Sequence, residues 1–199
     1  MIANTNSRNP YLSEDKTPIL KPSLVLFVDI LGYKDLVNEA ESRGQGQELL
    51  ILLHNTLKDA ISHLDPARIS SKDSYKLRTF TDNIVIGYPI ADFDGWDYAE
   101  WELNSIIHEI SIFQAEMANA NFFIRGGISI GNLYIDETVI YGAGLIEAHY
   151  GETKLARDPR IVLTKSAYEV MQKHLKRFGK DKITPLIRRI YRDSDGQFF

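Results

Sequence analysis

The sequence predicts an α+β domain whose elements follow the order β-α-β-β-α-β, with further elements after them. Three observations carry that prediction. LVLFVDILGY, residues 24–33, is a continuous apolar run broken by one carboxylate, as in a central strand covered on both faces that runs into a helix. Two later stretches repeat apolar residues at helical spacing. Between them, KLRTFTDNIVIGYP holds two β-branched and aromatic runs that meet at Thr81-Asp82-Asn83, where Asp and Asn suit a tight turn.

Taken in order, residues 1–22 are rich in Asn, Ser, Pro and Lys without a period and read as an N-terminal tail or a loosely docked arm, so the domain is placed at 23–199. After the first strand, Leu49, Leu53, Leu57, Ile61 and Leu64 mark one face of a helix over about 46–64 that Pro66 terminates. The hairpin follows. Trp96, Ala99, Leu103, Ile106, Ile107, Ile110, Phe113 and Met117 then define a helix over about 95–119. FFIRGGISIGNLYI reads as a strand whose glycines let something approach closely. IYGAGLIEAHYGE opens a third helix, RIVLT is a short strand, and a helix over about 165–176 follows. This order is the ferredoxin-like plan with C-terminal additions. Beyond about 178, Arg188, Arg189 and Arg192 mark a basic edge or a strand bearing phosphate-facing cations.

Composition narrows the function. The 199 residues contain no cysteine, which removes disulfides, thiolate metal sites and cysteine nucleophiles and fits a cytoplasmic protein. Lys and Arg number 23 against 27 Asp and Glu, so no global positive field attracts nucleic acid or an anionic membrane. No apolar run is long enough to span a bilayer, and no signal peptide is expected at the N-terminus. The five histidines form no His-Glu-x-x-His pair, and the chain has no P-loop, no dinucleotide glycine fingerprint and no nucleophile elbow.

The residues left to carry chemistry are few. Asp29 lies inside a buried strand, where an unpaired carboxylate costs several kcal/mol, roughly, so it needs a helix to cap, an Arg partner or a cation. Asp82 alone is a turn residue. With Asp29 it forms the oxygen-only pair that Mg²⁺ or Mn²⁺ takes beside nucleotide phosphates. Arg78, four residues before Asp82, shares its sheet face if the strand is regular, and its planar fork suits a base or phosphate as well as a surface carboxylate. Gly126, Gly127 and Gly131 admit either a backbone or a ligand, and the turn at Gly142 and Gly144 could present N–H groups to a phosphate.

This constellation, over about 24–164, resembles the class III nucleotide cyclases, and more closely the bacterial pyrimidine cyclases of the anti-phage signalling system called Pycsar. The residues that carry the resemblance are Phe27-Val28-Asp29-Ile30-Leu31-Gly32-Tyr33, the turn aspartate Asp82 preceded by Arg78, Gly127-Ile128-Ser129-Ile130-Gly131, Tyr141-Gly142 and Pro-Arg-Ile-Val-Leu at 159–163. The resemblance implies a homodimer with shared sites and two divalent cations, Mn²⁺ or Mg²⁺, held by Asp29, the Ile30 carbonyl and Asp82. It implies Arg78 as the base-reading residue, with Phe27, Tyr33 and Tyr150 as further substrate contacts. Arg78 can donate two hydrogen bonds to a pyrimidine edge, so UTP or CTP is the implied substrate, cyclised to the 3′,5′-monophosphate with release of pyrophosphate. A separate cyclic-nucleotide-sensing effector is then expected, with no nucleic acid and no membrane as partner.

The departures matter as much. The family's helix Asn and Arg fall on Ile146 and Tyr150, so another cation must face the triphosphate, with Arg125, Lys154, Arg157 and Arg160 as candidates. The alternative is a catalytically silent nucleotide-binding or dimerisation module that keeps the fold. A diguanylate-cyclase-type palm shares the element order, but its Gly-Gly-Asp/Glu-Glu-Phe turn is absent. An RNA-binding ferredoxin-like domain would need a basic face.

Overall fold

The computed structural model describes residues 9–64, 75–91, 99–178 and 190–199. The expectations placed on Pro66, Trp96, Arg188 and Arg189 fall outside those residues. In chain order the elements are β1 (Lys21–Ile30), α1 (Tyr33–Ser42), α2 (Gly46–His63), β2 (Lys76–Phe80), β3 (Asn83–Pro89), α3 (Glu100–Asn119), β4 (Ile124–Ile135), β5 (Ile140–Tyr141), α4 (Ala143–Tyr150), a π-helical turn (Gly151–Leu155), β6 (Ile161–Leu163) and α5 (Lys165–Phe178). The strands lie in the order β2-β3-β1-β4, each antiparallel to its neighbours. That is the ferredoxin-like core with the predicted element order, and β6 adds to β4 in parallel after the α4 crossover.

The period-2 alternation of β1 divides the core into two layers. Leu24, Leu26, Val28 and Ile30 face α2, α3 and α5 and join Ile84, Ile86, Leu103, Ile106, Ile110 and Phe113 in the larger cluster. Val25 and Phe27 face the opposite way, with Val85, Leu133, Tyr134, Ile135 and Ala148. Both clusters bury β1, which accounts for its unbroken apolar run. The second face is closed by α4 and by residues 9–20, whose Tyr11 is fully buried with its hydroxyl 2.9 Å from Ser23 Oγ.

The glycines of β4 are explained by backbone. A Cβ on Gly127 would lie 2.3 Å from the Ala148 carbonyl oxygen, and one on Gly131 would lie 2.9 Å from Gly144 Cα. Helix α4 and its π-helical extension occupy that space, so these glycines permit close helix–sheet packing. At its far end β4 leans over the second face. Leu133 reaches the row of Gly87, whose missing Cβ would meet Leu133 Cδ2 at 2.3 Å. There β4 pairs with the two-residue strand β5, a hairpin that the sequence reading merged into one strand and a helix start.

Candidate active site

The site is built on one row of the sheet. Register places Phe80 opposite Asn83, Asn83 opposite Asp29 and Asp29 opposite Arg125, so all four belong to the same face. Asp29 is the last residue but one of β1, and its side chain is 17% exposed. The chain then leaves the sheet through Gly32, whose left-handed conformation (φ +71°) starts α1 without any side-chain cap. Asp29 therefore does not cap that helix.

Asp82 occupies the two-residue turn that joins β2 to β3. Thr81 before it is left-handed (φ 54°), a strained state for a β-branched residue. Thr81 Oγ1 donates to Asp82 Oδ1 at 2.7 Å, and Asn83 Nδ2 donates to the same oxygen at 3.0 Å. The turn is fastened to β1 by Ile30 N–H, which donates to the Asp82 carbonyl at 3.1 Å. The Asp82 side chain is thus delivered to the end of β1.

The electrostatics follow from that placement. Burial pushes the Asp29 carboxyl up from 3.8 to about 6, the charges of Asp82 and Glu152 add to the rise, Arg125 opposes it, and the hydrogen bond that protonated Asp29 donates to Asp82 further favours the protonated form. Two carboxylates are close enough to share a proton, and an opposed cation would relieve the repulsion. Arg125 supplies part of it, with Nη2 3.5 Å from Asp29 Oδ2. Its Nε lies closer, 2.6 Å, to Oε1 of Glu152, a contact of ion-pair distance without hydrogen-bond alignment. Sequence reading missed Glu152. It lies in the π-helical turn and is 3% exposed.

The donor chemistry fits a divalent cation: Asp29 and Asp82 offer an all-oxygen pair carrying two negative charges, which suits Mg²⁺ or Mn²⁺ completed by phosphate oxygens and water. Among the described residues no group of three or more His, Cys, Asp or Glu is arranged to hold a metal ion, so the pair itself supplies the protein side chains.

The other expected residues are placed elsewhere. Arg78 lies one row along from Asp29 on the same face, opposite Val85, which is itself opposite Phe27. Its Nη1 donates to the Asp136 carbonyl at 2.7 Å and lies 3.4 Å from Glu137 Oε2, while Lys76 Nζ meets the other oxygen of Glu137 at 2.7 Å. The β4–β5 turn of the same chain thus holds Arg78. Phe27 is buried edge-to-face against His149, with centroids 5.0 Å apart, and belongs to the second core cluster. Tyr33 packs on the larger cluster. Tyr150 is 53% exposed on α4, beside Ile146 at 72%. Of the candidate cations, Arg160 is buried and paired with Asp193 and Asp195 of the C-terminal hairpin, whereas Lys154 and Arg157 are exposed. Arg125 alone of these four contacts the carboxylate pair among the described residues.

No family model matches the sequence, and no curated protein matches it. The fold is similar to the crystal structure of a class III adenylyl cyclase-like ATP-binding protein from Pseudomonas aeruginosa, with a TM-score of 0.55 and 15% identity over 87% of this chain and 41% of that one. This chain therefore spans less than half the length of that protein. The likeness establishes a class III cyclase-like α+β fold, the fold class that the element order and motifs predict. Among the described residues no helix is long and apolar enough to cross a membrane.

Proposed function

We propose that this chain is a nucleotide cyclase that converts a pyrimidine nucleoside triphosphate, UTP or CTP, into its 3′,5′-cyclic monophosphate and pyrophosphate. The observation that carries the reading is the approach of Asp82 to the half-buried Asp29 at the end of β1, where burial and like charge raise the Asp29 pKa to about 6. A fold gains no stability from that arrangement, and a divalent cation makes use of it. In the reaction the bond between the ribose 3′-oxygen and the α-phosphorus forms, the bond from that phosphorus to the bridging oxygen of the β-phosphate breaks to release pyrophosphate, and the hydroxyl proton passes to water.

Asp29 and Asp82 would hold the cations, with the Ile30 carbonyl beside them. The chemistry such cations would supply when bound is activation of the hydroxyl and neutralisation of the leaving phosphates. Arg78 reads the base through its paired donors once it is released from Asp136 and Glu137, with the exposed Tyr150 as an aromatic substrate contact, whereas Phe27 and Tyr33, expected beside it, are packed in the two core clusters. A homodimer with shared sites fits two features: Arg78 and Asp29 occupy different rows of the sheet face on which α4 packs, and Val139, Tyr141, Ile146 and Tyr150 are exposed apolar or aromatic side chains on the β4–β5 hairpin and on α4. The cyclic product would serve a separate sensing effector in cytoplasmic anti-phage defence of the Pycsar type.

One second reading has specific support. Ile146 and Tyr150 offer no hydrogen-bonding cation on α4, and the structural neighbour is described as cyclase-like and ATP-binding, which favours a catalytically silent nucleotide-binding or dimerisation module. Incubation with Mn²⁺ and each of ATP, GTP, CTP and UTP, with products identified by mass and chromatography, separates the two. A single cyclic pyrimidine product is expected. Nucleotide binding without any cyclic product would favour the silent module, and cyclic AMP would refute the assigned substrate.

A further inference from the structure

Glu152 lies where an acid is costly. It is 3% exposed in the π-helical turn that follows α4, a geometry that recurs at functional sites. Gly127 allows the turn to come this close, since a Cβ there would sit 2.9 Å from Gly151 Cα and 3.1 Å from Glu152 N. The turn aims Glu152 at Arg125, whose guanidinium is consequently shared: Nε is 2.6 Å from Glu152 and Nη2 is 3.5 Å from Asp29.

The sharing decides where negative charge is left. Asp29 and Glu152 share one arginine, and Asp82 lies against Asp29. With Glu152 taking the closer contact, the uncompensated charge remains on Asp29 and Asp82, equal and opposite to one divalent cation. Without Glu152, the 31%-exposed Arg125 side chain has freedom to close on Asp29 as a direct pair, and the ligand pair would lose half its charge. We infer that Glu152 is a positioning residue that draws Arg125 off Asp29 and thereby keeps the Asp29–Asp82 pair open to a divalent cation. The inference rests on the reading of that pair as the cation site.

The test is Mn²⁺ binding without nucleotide, followed by electron paramagnetic resonance of free Mn²⁺. Wild type binds, and the near-isosteric Glu152→Gln variant binds about tenfold or more weakly, the effect expected of a cation brought against a carboxylate ligand. In the double variant Glu152→Gln/Arg125→Gln nothing is left to neutralise Asp29, and affinity returns to within about threefold of wild type, a rescue that a purely structural role would not give. Circular dichroism and a thermal melt check folding. If Glu152→Gln does not fold, Arg125→Gln alone carries the test: it binds Mn²⁺ at least as tightly as wild type, and weaker binding overturns the inference. Equal affinity in wild type and Glu152→Gln, or a double variant as weak as the single one, overturns the role of Glu152 and leaves the cation site standing. A wild-type protein that binds no Mn²⁺ overturns the cation-site reading and this inference with it.

Discussion

Replacing Asp29 by asparagine separates a carboxylate kept for a cation from one kept for stability. The amide mimics the protonated acid in size and removes its charge. The folded chain holds the Asp29 proton up to about pH 6, against 3.8 as the ordinary value. Because the folded-state value is the higher one, the stabilisation from this proton is full below the unfolded value and is lost as pH rises through the folded one. At pH 8 the ionised wild type therefore bears a penalty that the amide avoids. A shift of about two units is worth at most about 3 kcal/mol, and solvent screening at a partly accessible group reduces that to about 1–2 kcal/mol. Without added metal, Asp29→Asn should be the more stable protein at pH 8 by that amount, which in a chain of this size raises the melting temperature by about 2–4 °C per kcal/mol. At pH 5, where wild-type Asp29 is mostly protonated, the difference should shrink. The assay is urea unfolding at both pH values. An Asp29→Asn variant less stable than wild type at both would refute the reasoning, because Arg125 would then be more than compensating Asp29 and the pair would be structural.

Other perturbations test other parts of the arrangement. Gly127→Ala puts a methyl against the Ala148 carbonyl and the Gly151 Cα, so it should cost about 1–3 kcal/mol in unfolding experiments and displace the turn that carries Glu152. A thermal melt matching wild type would show that α4 yields freely. Thr81→Gly relieves the left-handed strain but removes the hydroxyl that donates to Asp82. Stability should rise by about 1 kcal/mol while nucleotide turnover falls, and an unchanged rate would show that Thr81 does not orient the carboxylate. If sites are shared across a dimer, Asp29→Ala and Arg78→Ala, each inactive alone, should regain activity when mixed, up to roughly a quarter of wild type for random pairing into dimers with one intact composite site. A mixture as inactive as its parts would exclude shared sites.

Much of the fold was legible because local signals were strong. The buried run of β1, the Thr81-Asp82-Asn83 turn and the 3-4 spacing of α2 and α3 each identify an element within its own residues, and together they imply the observed core order. They also brought Asp29 and Asp82 forward as a pair. What the sequence concealed depends on distant contacts. Arg78 meets a turn 58 residues away because β4 leans across the second face, and no local period records that lean. Glu152 reads as an ordinary polar residue at a helix end. A signal did exist: Gly127 and Gly151 are the two positions where strand and turn touch, and the acid follows the second of them directly. Tyr11 was hidden by the polar, proline-containing composition around it, although one buried aromatic suffices to anchor that segment. Arg160 passed as a candidate cation because its partners, Asp193 and Asp195, lie more than thirty residues later, in the last hairpin.

The central claim is that Asp29 and Asp82 together perform cation-dependent chemistry on a pyrimidine nucleotide. The most direct measurement is the rate of cyclic product formation from UTP and from CTP with Mn²⁺, comparing wild type with Asp82→Ala at matched folding and concentration. The account predicts a cyclic pyrimidine product from the wild type, abolished by chelation and reduced at least about 10²-fold in the variant, as for loss of a group that stabilises developing charge. Equal rates in the two proteins, or a product whose formation survives chelation, would contradict it.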